Sequence, residues 1–202
     1  ASDVYKRQDM SILFHVKNEN FSEVMLKNIS LLSIVLKGIG YLIFSEILCL
    51  FINLTLAFSS SIFLKIITVL CTSIIFIGLI CNFAYNTAKN DLIIQRRMNI
   101  KFSFSRKFTV AASLSMPYIL LWLILFISKK GLIGNFYGAY KLLNGQFLQL
   151  YNLINSGTEL RSVSKFQLII MFVLTLIPFV SFIITYKLSY SGIDLNKIQY
   201  KD

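Results

Sequence analysis

Long apolar runs, separated by shorter polar stretches, dominate the pattern of this chain. Four of the runs have about the 20 residues that a helix needs to cross a hydrocarbon core about 30 Å thick. The pattern therefore predicts an all-α, polytopic integral membrane bundle of four transmembrane helices. The predicted spans cover residues 38–58, 66–84, 108–127 and 168–186.

The composition agrees with a membrane protein. Hydrophobic residues make up 56% of the 202 positions and charged residues only 14%, whereas soluble domains carry about a quarter charged residues. The net charge of +11 comes from basic residues that flank the apolar runs without forming one basic face. We therefore predict a lipid bilayer as the partner of these charges, and no nucleic acid.

The distribution of basic residues predicts the orientation. Most Lys and Arg residues lie in the N-terminal segment, in a predicted loop over residues 85–107 and in the C-terminal tail. Cytoplasmic segments of membrane proteins carry this excess, so both termini are predicted to be cytoplasmic.

The first 37 residues are predicted to precede the bundle. Residues 1–9 fit nothing that follows them and resemble a non-native leader, with Met10 as the expected start. In the 10–37 segment, Asn20 and Glu23 have capping-box spacing and predict a short helix on the membrane surface. The alternative is that the first span begins near Leu31, with Lys37 reaching to the interface.

A second amphipathic helix is predicted over about residues 135–155, between the third and fourth spans. Its apolar residues recur at steps of four and three, which places them on one helix face. The segment is too polar to span a bilayer, so we expect it to lie flat on the outer leaflet or to cap the bundle mouth. The stripe consists of Phe136, Tyr140, Leu143, Phe147, Leu150 and Ile154.

Glu46 is the one charged residue at mid-span depth in the predicted spans. Acids in this position often mark ion or substrate paths, although a Glu can also hydrogen-bond a neighbouring helix as structural glue. Counting residues along each span predicts that Glu46 faces inward in one layer with Gly78, Ser115 and Pro178.

The candidate intramembrane polar site is Glu46, Ser115 and Asn82, with Asn82 and Asn53 expected to form interhelical hydrogen bonds. Kinks are expected at Pro117 and Pro178, because each proline removes a backbone hydrogen bond.

No catalytic signature is present in the sequence. His15 is the one histidine, and no HExxH motif, Ser/His/Asp set or paired acids occur. We therefore predict a protein that is not an enzyme and that uses no metal or cofactor. The three cysteines, Cys49, Cys71 and Cys81, lie in apolar runs without CxxC spacing and are expected to act as small hydrophobic residues.

The stretches FYGAYKLLNGQFLQLYNLI, TELRSVSKFQ and TYKLSYSGIDLNKIQYKD resemble those of small, uncharacterised four-span membrane proteins of low-GC Gram-positive bacteria. The resemblance implies a bacterial cytoplasmic membrane location and transfers no functional residues. The leading hypothesis is a non-enzymatic accessory or assembly component that binds another membrane protein or forms a homo-oligomer. The alternative is a small permease or ion-coupled carrier with Glu46 as its titrating group.

Overall fold

The computed structural model describes residues 31–56, 61–98 and 104–191, and these residues form helices and turns without a strand. Four helices are long and apolar enough to cross a membrane, which confirms the predicted all-α class with four candidate spans. The predicted N-terminal surface helix and Met10 lie outside the described residues. The candidate spans are Leu31–Leu56, Ile62–Arg96, Ser105–Lys129 and Lys165–Tyr190.

We number the helices in chain order. Helix α1 is the first candidate span, Leu31–Leu56, so the described helix includes Leu31, as the alternative for the first span expected. The last candidate span consists of two helices, α6 and α7. The remaining helices are α2 Ile62–Met98, α3 Phe104–Lys129, α4 Tyr137–Leu142, α5 Leu148–Ile154, α6 Lys165–Thr175 and α7 Ile177–Tyr190.

Contacts between the long helices define an up-down-up-down bundle. A Cβ on Gly38 of α1 would lie 2.7 Å from Leu114 of α3 and 3.0 Å from Phe83 of α2, so the three helices approach closely. The indole N–H of Trp122 on α3 donates to the carbonyl oxygen of Leu168 on α6 at 3.0 Å. As a result, the start of α1 and the end of α7 lie at the same end of the bundle.

The prediction of a loop over residues 85–107 is wrong for most of these residues. Helix α2 continues to Met98 and α3 begins at Phe104, so only a short connection separates them. At about 1.5 Å per residue α2 is about 55 Å long, which is more than a bilayer core requires. The end of α2 therefore extends beyond the apolar part of the bundle.

The fourth span is interrupted where a proline was expected to bend it. Thr175 ends α6, and α7 begins at Ile177 with Pro178 in its first turn. Pro178 cannot donate to the carbonyl oxygen of Leu174, so the helix breaks between them. At Pro117, by contrast, α3 continues as one helix.

A capping box fixes the start of the fourth span. The Ser164 hydroxyl accepts the Gln167 backbone N–H at 3.2 Å, and the Gln167 side chain accepts the Ser164 N–H at 2.8 Å. These two bonds satisfy amides that the first helical turn leaves without partners.

Candidate functional site

Residues 137–154 fold into a helical hairpin, so the prediction of a single helix over about residues 135–155 is wrong. Helix α4 and helix α5 form its arms, and a 3-10 turn over Gly145–Phe147 forms its tip. Tyr140 and Tyr151, one on each arm, are fully buried, and their hydroxyl groups lie 3.2 Å apart. Leu143, predicted on the buried stripe, is 52% exposed because the turn redirects the chain.

The tip of the hairpin is inserted into the bundle and held by two polar side chains of α1. The Gly145 N–H donates to the Glu46 carboxylate at 2.5 Å. The amide of Asn53 donates to the Gly145 carbonyl oxygen at 2.7 Å. Within the tip, the Phe147 ring packs edge-on against Phe76 of α2, with ring centroids 5.4 Å apart. The predicted inward orientation of Glu46 thus has a specific partner, but that partner is the backbone of the hairpin.

The contact lies deep between the helices. Glu46 is about 15 Å from the last described residue of α1, and Tyr118 is about as far from the end of α3, at about 1.5 Å per residue. Non-helical backbone at this depth in a membrane protein is tolerated where protein surrounds it, as here. The hairpin therefore occupies the interior of the bundle at the end opposite the chain termini, which we call the hairpin end.

Four polar side chains meet at the tip, and we call them the polar layer: Glu46, Asn53, Tyr118 and Gln146, the last of which belongs to the tip itself. Tyr118 lies beside Gln146 and near Glu46. Glu46 and Asn53 come from α1, Tyr118 from α3 and Gln146 from the hairpin. The layer thus joins three elements that are far apart in the sequence.

Several buried atoms of the polar layer have no hydrogen bond of acceptable geometry. They are the second carboxylate oxygen of Glu46, the side-chain oxygen of Asn53 and both amide atoms of Gln146. A buried polar group without a partner costs about 1 to 3 kcal/mol, so such groups usually face ordered water or a ligand. The layer can therefore offer several oxygen atoms to a small polar occupant.

No described hydrogen bond joins the other predicted site residues to Glu46. Asn82 is exposed and accepts a hydrogen bond from Asn86 of its own helix at 3.1 Å, so the interhelical bond expected for it is not formed. Ser115 is buried on α3, and its hydroxyl has no hydrogen-bond partner. Gly78 is exposed with nothing within 4 Å of a Cβ, and Pro178 lies at the break in the fourth span.

Two lysines hold the segment that follows the hairpin. The Lys141 ammonium donates to the Asn152 side chain at 3.0 Å and to the carbonyl oxygens of Asn155 and Gly157 at 2.6 and 2.9 Å. The Lys129 ammonium donates to the carbonyl oxygens of Leu160 and Val163 at 2.8 and 2.7 Å. Sequence reasoning counted both lysines only as charges that indicate orientation.

The buried position of Lys141 predicts a pH-dependent stability. Burial lowers the pKa of Lys141 from 10.5 to about 8. Between these values the folded state holds fewer protons than the unfolded state, so the free energy of unfolding should rise with pH from about 8. The rise should end near pH 10, because burial raises the pKa of Tyr137 and of Tyr140 from 10.0 to about 12, which opposes folding above pH 10.

Thermal unfolding of the detergent-solubilised protein at pH 7.5 and pH 9.5 measures this effect. The wild-type midpoint should be higher at pH 9.5. In Lys141→Met the difference should disappear, and the midpoint should be lower at both pH values because three acceptors lose their donor. A wild-type midpoint that stays constant or falls between the two pH values would contradict this assignment.

A second buried polar network lies at the opposite end of the bundle, and sequence reasoning missed it. The Arg106 guanidinium is 3.3 Å from one carboxylate oxygen of Asp91, and the Tyr186 hydroxyl donates to the other at 2.7 Å. Arg106 was predicted to be a loop residue, but it is buried. One turn further along, the Tyr190 hydroxyl donates to Gln95. We call this end the Asp91 end.

Within the described ranges, no group of three or more His, Cys, Asp or Glu residues could hold a metal ion. The cysteines Cys49, Cys71 and Cys81 are free. No family model, curated protein or solved structure matches this chain.

Proposed function

We propose that this chain is a small ion-coupled carrier in which the polar layer binds a proton or a monovalent cation. The observation that carries the proposal is the meeting of a carboxylate, two amides and a phenol around the hairpin tip, with several of their buried atoms without hydrogen bonds. Ionisable and polar groups inside membrane proteins are costly and tend to be functional. This observation favours the carrier over the accessory component that the sequence favoured.

The chemistry of the polar layer suits a small cation. Its free acceptors are the second Glu46 oxygen, the Asn53 oxygen and the Gln146 oxygen, all of which are hard oxygen ligands. The Glu46 carboxylate supplies one negative charge, which one proton or one monovalent cation neutralises. A single charge is insufficient for a divalent ion in a medium of low dielectric constant.

The hairpin is the element that would have to move. Its arms, α4 and α5, are six and seven residues long, and both are too short to be stable helices alone. Its tip is held to α1 through the two hydrogen bonds to Gly145. Release of these bonds would open the polar layer toward the hairpin end, and rebinding would close it, as alternating access requires.

The proposal also covers the membrane in which the chain lies and its orientation there. We place the chain in a bacterial cytoplasmic membrane with both termini in the cytoplasm and the hairpin end outside. The excess of basic residues at the termini and at residues 85–107 supports this orientation. The common position of the start of α1 and the end of α7 is consistent with termini on one side.

Reconstitution into liposomes tests the carrier. Liposomes with a trapped pH dye, under an imposed potassium diffusion potential, report proton movement, and a sodium-sensitive dye reports sodium. With a mixture of small amino acids, sugars and organic acids supplied outside, because an ion-coupled carrier moves the ion together with its solute, wild-type protein should accelerate one of these fluxes above that of empty liposomes. Glu46→Gln should return the flux to the empty-liposome rate. The glutamine can still accept the Gly145 N–H, so its thermal midpoint should stay close to that of the wild type.

Glu46→Ala removes the acceptor of the Gly145 N–H as well as the charge, so its comparison with Glu46→Gln separates the structural role of Glu46 from its role in transport. It should lose the flux and be destabilised by about 1 to 3 kcal/mol. Asn82→Ala is the matched control, since Asn82 is an exposed amide bonded only within its own helix, and it should retain the flux. Wild-type flux equal to that of empty liposomes for both ions, or full flux in Glu46→Gln, would refute the carrier.

A non-enzymatic accessory or assembly component is the second candidate. The one described hydrogen bond of Glu46 goes to the chain's own backbone, which favours a structural role as glue. In that case flux is absent, Glu46→Gln is silent, and the tagged protein co-purifies with a defined membrane partner or with a second copy of itself.

A further inference from the structure

A cavity of about 420 Å³ opens at the hairpin end, separate from the polar layer. It lies between the end of α3 and the chain that leads into α6, and its volume is within the range of about 300 to 1,000 Å³ typical of small-molecule sites. The residues that line it are Ser128, Ile133, Asn135, Glu159, Leu160 and Arg161.

Hydrogen bonds fix the walls of this cavity. The Ser128 hydroxyl donates to the Gly134 carbonyl oxygen at 2.6 Å. The Asn135 amide donates to the Thr158 carbonyl oxygen at 2.9 Å. On the opposite wall the Lys129 ammonium holds the Leu160 carbonyl oxygen. The cavity is thus bounded by backbone that is tied at three points.

Two opposite charges are left available in the cavity. Ser128 and Asn135 already use their side chains to hold the walls, whereas Glu159 and Arg161 are exposed. Within the described residues, the ion pair with charged atoms closer than 4 Å joins Asp91 and Arg106, at the other end of the bundle, and it does not involve Glu159 or Arg161. A carboxylate and a guanidinium therefore face the same cavity without neutralising each other.

We infer that this cavity binds a small zwitterion, namely an α-amino acid with an apolar side chain. The Glu159 carboxylate suits the ammonium group of the ligand, and the Arg161 guanidinium suits its carboxylate, which arginine can bind with two parallel hydrogen bonds. Ile133 and Leu160 provide apolar surface for the side chain. A simple anion meets repulsion from Glu159, and a simple cation meets repulsion from Arg161.

This inference names the solute class of the carrier proposed above, and only the transport of the ligand rests on that function. Binding to the cavity needs neither Glu46 nor movement of the hairpin. The two claims can therefore fail separately, and the experiment measures binding alone.

Isothermal titration of the full, detergent-purified chain tests the cavity. Leucine is compared with leucinamide, which lacks the carboxylate, and with 4-methylpentanoate, which lacks the ammonium group. Leucine should bind saturably and the two analogues at least about tenfold more weakly, since each loses a charge-assisted bond. Glu159→Gln and Arg161→Gln should each weaken leucine binding by a similar factor.

Two variants act as controls. Lys165→Gln removes an exposed charge close in sequence but outside the cavity lining, and Glu46→Gln alters only the polar layer; both should bind leucine as the wild type does. No saturable leucine binding, or binding unchanged by Glu159→Gln and Arg161→Gln, would overturn the inference. Leucine binding without any flux would preserve the site and refute the carrier.

Discussion

Replacing Asp91 with alanine is expected to destabilise the protein by about 3 to 5 kcal/mol, the cost of removing one partner of a buried ion pair. The side chains of Arg106 and Asp91 are only 5% and 2% exposed, so the guanidinium left behind is poorly hydrated. The Tyr186 hydroxyl would lose its acceptor as well. Asp91 thus joins α2, α3 and α7 at one point.

Chemical unfolding in mild detergent, followed by tryptophan fluorescence, measures the loss. Tyr186→Phe, which removes one hydrogen bond to the carboxylate, should lose only about 1.5 to 3 kcal/mol. The double variant Asp91→Ala with Arg106→Met should recover much of the stability that Asp91→Ala loses, because neither charge of the buried pair remains. Equal stability of wild type and Asp91→Ala would show that the network does not hold this end.

Gly145→Ala should release the hairpin from the bundle. A Cβ at this position would lie 2.6 Å from the Cδ2 atom of Leu50 and 2.9 Å from the Glu46 carboxylate. Both neighbours are side-chain atoms of α1, so the Leu50 and Glu46 side chains or the tip itself must shift, and the hydrogen bond from Gly145 to Glu46 is displaced. Overpacking of this kind costs about 1 to 3 kcal/mol, and the displaced hydrogen bond adds to it.

The same hairpin offers a matched control. Gly138 lies in α4, and a Cβ there meets nothing within 4 Å. Gly138→Ala should leave the thermal midpoint unchanged or raise it slightly, since alanine favours a helix by about 0.5 to 1 kcal/mol over glycine. The comparison uses thermal unfolding and size-exclusion profiles in one detergent. If both substitutions lower the midpoint equally, the loss of stability in Gly145→Ala does not come from close contact at the tip.

Hydropathy located the four spans, but it missed where their helices end. Residues 85–98 are polar enough to be taken for a loop, yet they continue α2 because Asp91 and Gln95 find partners on other helices. Periodicity alone could not show this, since the partners are Arg106, Tyr186 and Tyr190. The spacing of an acid on one helix end and an arginine at the next helix start was the available signal.

The amphipathic stripe predicted helical structure between the third and fourth spans, but the prediction of one continuous helix was wrong. Gly145 interrupts the stripe, and a glycine in the middle of a predicted helix was the sign of a possible turn. Glu46 was identified from sequence as the unusual residue of the first span. Its partner, 99 residues away, could not be identified, because no local pattern links the two positions.

The sequence by itself determined the all-α class, the four candidate spans and the unusual position of an acid, Glu46, inside the first of them, because the length and polarity of an apolar run depend on neighbouring residues alone. Only the tertiary structure decided that the segment after the third span turns inward, that Gly145 meets Glu46 and Asn53, and that Asp91 pairs with Arg106. These contacts join residues distant in the chain, where packing and the need to satisfy buried polar groups override local preference.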